Sequence, residues 1–401
     1  MLKRNITVAL TGVMLAITTI SADAGLKLSD EKSGIGLEIG GRLQVMALFN
    51  DKDFKPNDDI DFRVRRGRLR LGITPHPKLS MFLQTEFADD VGGSGGDVRL
   101  IDAYINFKQS PWLQFISGLN MAPAQRQTLT SSGGLMAMDR PGITNYNLTW
   151  GMKGNTALQT GTVNGTQVGT FGDNQVRDMG VTLFGSGKVK EKTYFKYYLG
   201  MAEGSKYSDD TQRISARAQI NFGDAEAGYY NLSTYLGKKE TIGLGVAIDT
   251  QNSFATDIVT GEQVDYSLFT VDGFLEKPMG GGSLTLEAAY TKLDLGDTVN
   301  GLASQTGVAL KSGTTANQAQ GDGFYIQGGY LMGDWQPFLL AEQWSADAAG
   351  GVGSWDSVRA GINYYLKGHN ANIKLSVENT SFDAAGVEDI TTAAIGLYIT
   401  Y

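Results

Sequence analysis

Cysteine is absent from the 401-residue chain, histidine occurs twice and proline only 8 times. The first absence excludes disulfide frameworks, thiolate metal or iron–sulfur centres and thiol nucleophiles. His76 and His369 both fall in turn-like stretches, where surface positions are expected, and they leave little material for an acid/base dyad. No catalytic set, metal site or cofactor is therefore expected. Charged residues make up 19% of the chain, and the formal net charge is −8. Binding to nucleic acid rests on neutralising phosphates, so no nucleic-acid partner is expected. Beyond residue 24 there is also no run of 18 apolar residues, which a membrane-spanning helix would need.

What the chain does contain is glycine, 53 residues of it, with aromatics at 10%, a content that argues against disorder. Lys3 and Arg4 precede an apolar stretch from Ile6 to Ile20, followed by small residues at Ala22 and Ala24. This is the layout of a cleaved signal peptide covering 1–24, with 25–401 remaining as a single exported domain. Losing Lys3, Arg4 and Asp23 takes the net charge from −8 to −9. An exported chain without a helical span is either a soluble periplasmic protein or a membrane-embedded β-barrel.

Periodicity separates these two options. Ile214, Ala216, Ala218, Ile220 and Phe222 alternate with Arg213, Ser215, Arg217, Gln219 and Asn221, giving one apolar row and one polar row. About sixteen such segments recur. They lie near 35–49, 62–73, 79–88, 98–107, 112–119, 177–185, 193–202, 213–222, 241–249, 264–277, 283–291, 323–331, 336–344, 357–366, 371–379 and 392–401. Most exceed the five or six residues usual in a β-sandwich strand, and short turns alternate with long loops. The expected fold class is all-β: a transmembrane, antiparallel, up-and-down barrel of about sixteen strands, with short turns facing the periplasm. One link, 223–240, breaks the alternation, because it is long yet falls on the short-turn side. Either it folds locally or the strand count fails there.

The stretch FRVRRGRLRLGIT at Phe62–Thr74 is followed by LIDAYINFKQSPWLQFISGLNMAP at Leu100–Pro123. Then come Thr130–Ser131–Ser132, the pair Asp139–Arg140 and Arg177–Asp178–Met179–Gly180–Val181. In this order the segments resemble the phosphate-selective porin O/P family. The resemblance implies a barrel in the bacterial outer membrane, in contact with its lipids. It also implies a homotrimer, with loop 3 folded inward to narrow a pore for small hydrophilic solutes. Phosphate-selecting members line the constriction with several lysines. Residues 120–145 here hold none, and Arg126 and Arg140 are the basic residues there, so phosphate is one of several small anions to consider.

In a barrel of this width, selectivity comes from charge and size at the narrowest ring. Leu69, Leu71 and Ile73 set the lipid face of their segment and turn Arg66, Arg68 and Arg70 inward, at about 7 Å pitch along the strand. Arg42 extends this anion path from the neighbouring segment, Arg126 and Arg140 join it from loop 3, and Arg213, Arg217 and Arg359 stand on the far wall. Glu38, Glu86, Asp102 and Glu287 are the acidic lumen candidates. Two readings stand: the arginines guide anions, or they pair with these carboxylates and stiffen the wall. Arg65 does not fit the inward phase and requires a bulge or a subunit interface. The function expected is a passive diffusion channel preferring anions, and not an enzyme. The alternatives are a non-selective or cation-favouring pore, or a plugged barrel that serves as an adhesin, a receptor or a sheath for a partner.

Overall fold

The computed structural model describes residues 25–30, 34–50, 60–88, 98–144, 161–163, 166–168, 176–204, 211–256, 263–294, 320–347 and 353–401. Among them are nineteen strands. The first, β1 (Leu26–Ser29), is a short ribbon on the edge of β2 (Gly36–Asn50). The wall continues through β3 (Ile60–His76), β4 (Leu79–Glu86), β5 (Arg99–Ser110) and β6 (Leu113–Met121). A small hairpin, β7 (Gly161–Val163) and β8 (Thr166–Val168), lies in the connection that follows. Next come β9 (Arg177–Lys190), β10 (Thr193–Ala202), β11 (Arg213–Gly223), β12 (Thr241–Thr256) and β13 (Gln263–Met279). The wall ends with β14 (Gly282–Asp294), β15 (Gly321–Leu331), β16 (Trp335–Ala346), β17 (Trp355–Tyr365), β18 (Ala371–Phe382) and β19 (Ile390–Thr400).

Setting aside β1, β7 and β8, the described residues form sixteen long antiparallel strands, each paired with the next, and β19 pairs with β2 to close the ring. Each of the sixteen segments expected from alternation overlaps one of these strands. Turn chemistry fixes the register of the hairpins. Gly280 and Gly281 join β13 to β14 with φ of +58° and +85°, the mirror-image turn geometry that glycine supplies without steric cost. At the seam, the Gly41 amide donates to the Tyr401 carbonyl oxygen at 2.7 Å, and the Tyr401 amide donates back at 3.0 Å.

Burial is inverted relative to a water-soluble fold. Along β12, Ile242, Leu244, Val246 and Ile248 are exposed, while Thr241, Ala247 and Asp249 are buried. In β11, Arg213, Ser215, Arg217, Gln219 and Asn221 are buried and Ile214 and Phe222 exposed. Each Leu, Ile or Phe left in water forgoes about 1.5–3 kcal/mol, so a ring of them outside requires an apolar surrounding. Among the described residues no helix is long and apolar enough to cross a membrane.

Arg65 sits at a register shift. Gln44 pairs with Arg66 and Val45 with Val64, which leaves Arg65 as the extra residue of a β-bulge. The bulge turns both Arg65 and Arg66 toward the lumen. The expected signal peptide, 1–24, lies outside the described residues.

Candidate functional site

The connection from β6 to β9, loop 3, turns into the barrel at once. Ala122–Thr144 is almost wholly buried, and a 3-10 turn at Gln127–Leu129 is held by the Arg126 and Gln127 carbonyls. Many of its polar atoms are met by the wall. Lys374 Nζ donates to the carbonyls of Leu135, Met136 and Ala137 at 2.5, 3.2 and 3.1 Å. Tyr398 Oη donates to Met138 O at 2.8 Å, and Gln44 Nε2 to Ser132 O at 2.9 Å. A Cβ on Gly133 would lie 2.5 Å from Arg42 Nη2, so a side chain there would push that guanidinium aside. Asp139 accepts from Arg65 Nε at 2.5 Å and from Arg66 Nη2 at 2.9 Å.

The long link between β11 and β12 also folds inward, from the opposite end of the barrel. The Leu129 carbonyl accepts from the Asn231 amide at 2.8 Å, and the Asn231 carbonyl accepts from the Ser131 amide at 2.9 Å. The Ser233 amide donates to Gly134 O at 2.9 Å. Tyr229 Oη donates to Met121 O, and Lys196 Nζ to Asn231 Oδ1, which fixes one side of the link to β6 and β10. Its other side reaches Glu276 through the Tyr235 amide at 2.7 Å, and His369 Nε2 lies 2.9 Å from Thr234 O. The link thus crosses the lumen and shares a hydrogen-bonded seam with loop 3. Arg126 joins the two: its Nη2 bonds Glu226, its Nη1 lies 3.4 Å from Glu287 Oε1, and its guanidinium stacks 3.9 Å over the Phe274 ring.

Beside this diaphragm lies a partly open cavity of about 640 Å³, the candidate passage, between the β2–β6 wall, the loop 3 residues Thr130–Ser132 and the link residues Asp224–Leu232. Seven cationic side chains line it against three carboxylates. Arg42, Arg68 and Arg70 form the wall side with Arg177 beyond, and Lys238 and Lys239 stand on the link. The carboxylates are Asp102, Asp224 and Glu226. Arg42 donates to the hydroxyls of Ser131 and Ser132, and Arg70 Nη2 donates to Tyr401 O at 2.9 Å.

The remaining candidates divide between the passage and the wall. Arg68 and Arg140 line the passage; Arg68 Nε bonds Glu86 at 2.5 Å, and Arg140 donates to the Gln127 and Thr130 carbonyls. Arg66 is turned to Asp139 and Arg126 is sealed at 1% exposure, so neither adjoins the passage as expected. Arg213 pairs with Asp249, Arg217 with Asp272 and Arg359 with Glu378. Glu287 faces Arg126 and Gln127, Asp102 bonds Arg177 at 2.9 Å, and Glu38 faces Lys27 near the rim. His369, expected at the surface, is buried at 8% exposure because the link packs over its turn. Alternation marked 223–240 only as a link that folds locally or upsets the strand count, and did not place it in the lumen. The available signal was a long turn on the short-turn side carrying Tyr229, Tyr230 and Tyr235, three aromatics that a solvated loop seldom holds.

Electrostatics holds the diaphragm closed. Burial pushes the Glu226 carboxyl up, but Arg126 and then Lys196, with hydrogen bonds from Tyr235 and Asn221, bring it down to about 2; Lys239 also faces it. Burial likewise raises Asp139, and Arg65, Arg66 and Arg140 more than offset this, holding it well below the usual carboxylate range. Both are depressed on folding, so their stabilisation is present above the unfolded values, about 4, and is lost as pH falls through the folded ones. The share of the closure that Glu226 and Asp139 supply is therefore expected to persist from pH 7 to about 4 and to be lost only on approach to about 2, read as a rise in single-channel conductance. A conductance step between pH 6 and 5 would show that other groups hold the segments.

No protein-family profile and no curated relative matches the sequence. Solved structures do match in shape. The trimer form of in-vitro folded OmpT, an outer membrane protein of Vibrio cholerae, aligns with a TM-score of 0.53 at 11% identity over 92% of this chain and 99% of its own. The outer membrane channel DcaP of Acinetobacter baumannii gives 0.55 and 12%, over 93% and 99%. Salmonella typhi OmpF, in a complex with daunomycin, gives 0.54 and 13%, over 94% and 100%. The chain therefore has the sixteen-stranded closed-barrel fold of outer-membrane proteins.

Proposed function

We propose that the chain is a passive diffusion channel of the bacterial outer membrane that passes small hydrophilic solutes and prefers anions. The observation that carries this is the candidate passage: a partly open cavity inside an apolar-coated barrel, walled by seven cationic side chains against three carboxylates. Low dielectric around a narrow ring strengthens such an imbalance, so the sign at the ring outweighs the acidic charge of the chain as a whole. The barrel is read as trimeric by likeness to the OmpT trimer. The segments at 62–74, 100–123 and 177–181 resemble the phosphate-selective porin O/P family, and the lysine-free loop 3 supports small anions generally rather than phosphate alone.

Reversal potentials in a potassium chloride gradient test the proposal. Wild type is expected to favour chloride, and Arg42→Ala/Arg70→Ala to lower the chloride-to-potassium ratio at least about threefold, since two charges leave a confined ring. An unchanged ratio would place the selectivity elsewhere. Complete absence of stepwise conductance would instead favour the plugged barrel, a reading suggested by the two inward segments.

A further inference from the structure

We infer that the passage contains a binding site for a planar aromatic carboxylate, a conclusion that deepens the channel proposal and rests on it. The Phe82 and Tyr104 rings, directly opposite one another on β4 and β5, lie 5.4 Å apart with a 32° tilt and face the passage only half-buried. Tyr230 adds a third ring from the link. Inward positions of a water-filled barrel are expected to be polar, and elsewhere on β4 they are, at Gln84 and Glu86. Tyr104 and Tyr230 back onto the buried cluster of Ile116, Met121 and Tyr229, and the ring surface left open to water costs free energy unless something flat covers it.

The neighbouring charges supply the other half of the site. Gly72 stands opposite Phe82 and Arg70 opposite Gln84, so the Arg70 backbone is the diagonal neighbour of the ring, about 7–8 Å away. Its guanidinium, with that of Arg42, places planar positive charge suited to a carboxylate beside the rings, in addition to the bonds these groups make to Tyr401 O, Ser131 and Ser132. The wall carboxylates flanking the rings are matched: Asp102 by Arg177 at 2.9 Å and by Gln84 at 2.5 Å, and Glu38, across Gly72 from Phe82, by Lys27 at 3.4 Å, so neither repels an incoming anion strongly. A volume of about 640 Å³ lies within the range of small-molecule sites. A ring on Phe82 and Tyr104 with its carboxylate at the arginines uses both features, whereas a small inorganic anion would leave the aromatic surface unused.

The test uses the purified full-length barrel in detergent, with thermal unfolding followed in sodium benzoate and in sodium acetate at matched ionic strength. The half-effective concentration is expected to be about tenfold lower for benzoate, the gain from covering one ring. Phe82→Ser/Tyr104→Ser should abolish the difference while leaving the acetate response. If that variant does not fold, Tyr230→Ser, on the link and outside the wall, should reduce it. Equal responses to the two anions in wild type, or a benzoate preference that survives these substitutions, would overturn the site. Conductance in plain potassium chloride is recorded alongside. Steps without benzoate preference sink the site and leave the channel, whereas ring-dependent benzoate binding without steps sinks the channel and leaves the site.

Discussion

Replacing residues 224–240 with Asn-Gly is expected to raise single-channel conductance at least about twofold, because current follows the area of the narrowest ring. The wall should tolerate the excision. Gly223 already pairs with Thr241, and the ladder from Ile214↔Thr250 onward is complete without the link, so a two-residue turn can close the hairpin. The polar groups laid bare would meet water: Asn231's partner Lys196, and the Glu276 carboxylate that now accepts from Tyr235 and Gly237 amides; the cost falls on the Phe184, Tyr198 and Phe274 rings that Tyr229 and Tyr235 now cover. Loop 3 would lose one edge but keep its bonds to Lys374, Tyr398 and Gln44. Current steps of unchanged size from a folded variant would mean that the narrowest ring lies elsewhere.

The second large effect is expected at Arg126. Truncation to Ala leaves Glu226 and Glu287, both 0% exposed as side chains, facing each other without their shared cation. Breaking a buried pair in this way costs about 3–5 kcal/mol, mostly through the charge left behind. The bond to Leu232 O and the stacking on Phe274 go with it. The barrel ladder contains none of these contacts, so the loss should appear as release of loop 3 and the link, with noisy, larger currents and new protease cleavage within 122–144. Adding Glu226→Gln should recover part of the closure, because one buried charge is then removed. If Arg126→Ala matches wild type in both protease resistance and current noise, this cluster is not what locks the segments.

The wall was legible from the sequence because its rule is local. Ile214 to Phe222 and Arg213 to Asn221 lie on opposite faces whatever the rest of the chain does, so alternation alone located every strand of the wall, falling short chiefly at the C-terminal ends of β9 and β12. The pairing of the arginines was not legible. Arg66 finds Asp139, 73 positions away, and Arg126 finds Glu226, 100 positions away, and only the closed ring brings them together. The link escaped for a related reason. Its residues follow neither period, since Tyr229, Asn231 and Ser233 take their partners from β6, loop 3 and β10 rather than from a neighbouring strand. Arg65 lay between these cases: its wrong phase was visible, and the ladder shows the bulge as the cause.

The inward link anchors at β6 and β10 on one side and at the β17–β18 turn on the other, where Thr234 O meets His369. A cylinder braced across its diameter resists being squashed into an oval. Lateral pressure from packed lipids would have to stretch that tie-rod before it could change the hole, so the cross-section is set from within rather than by the crowding around it.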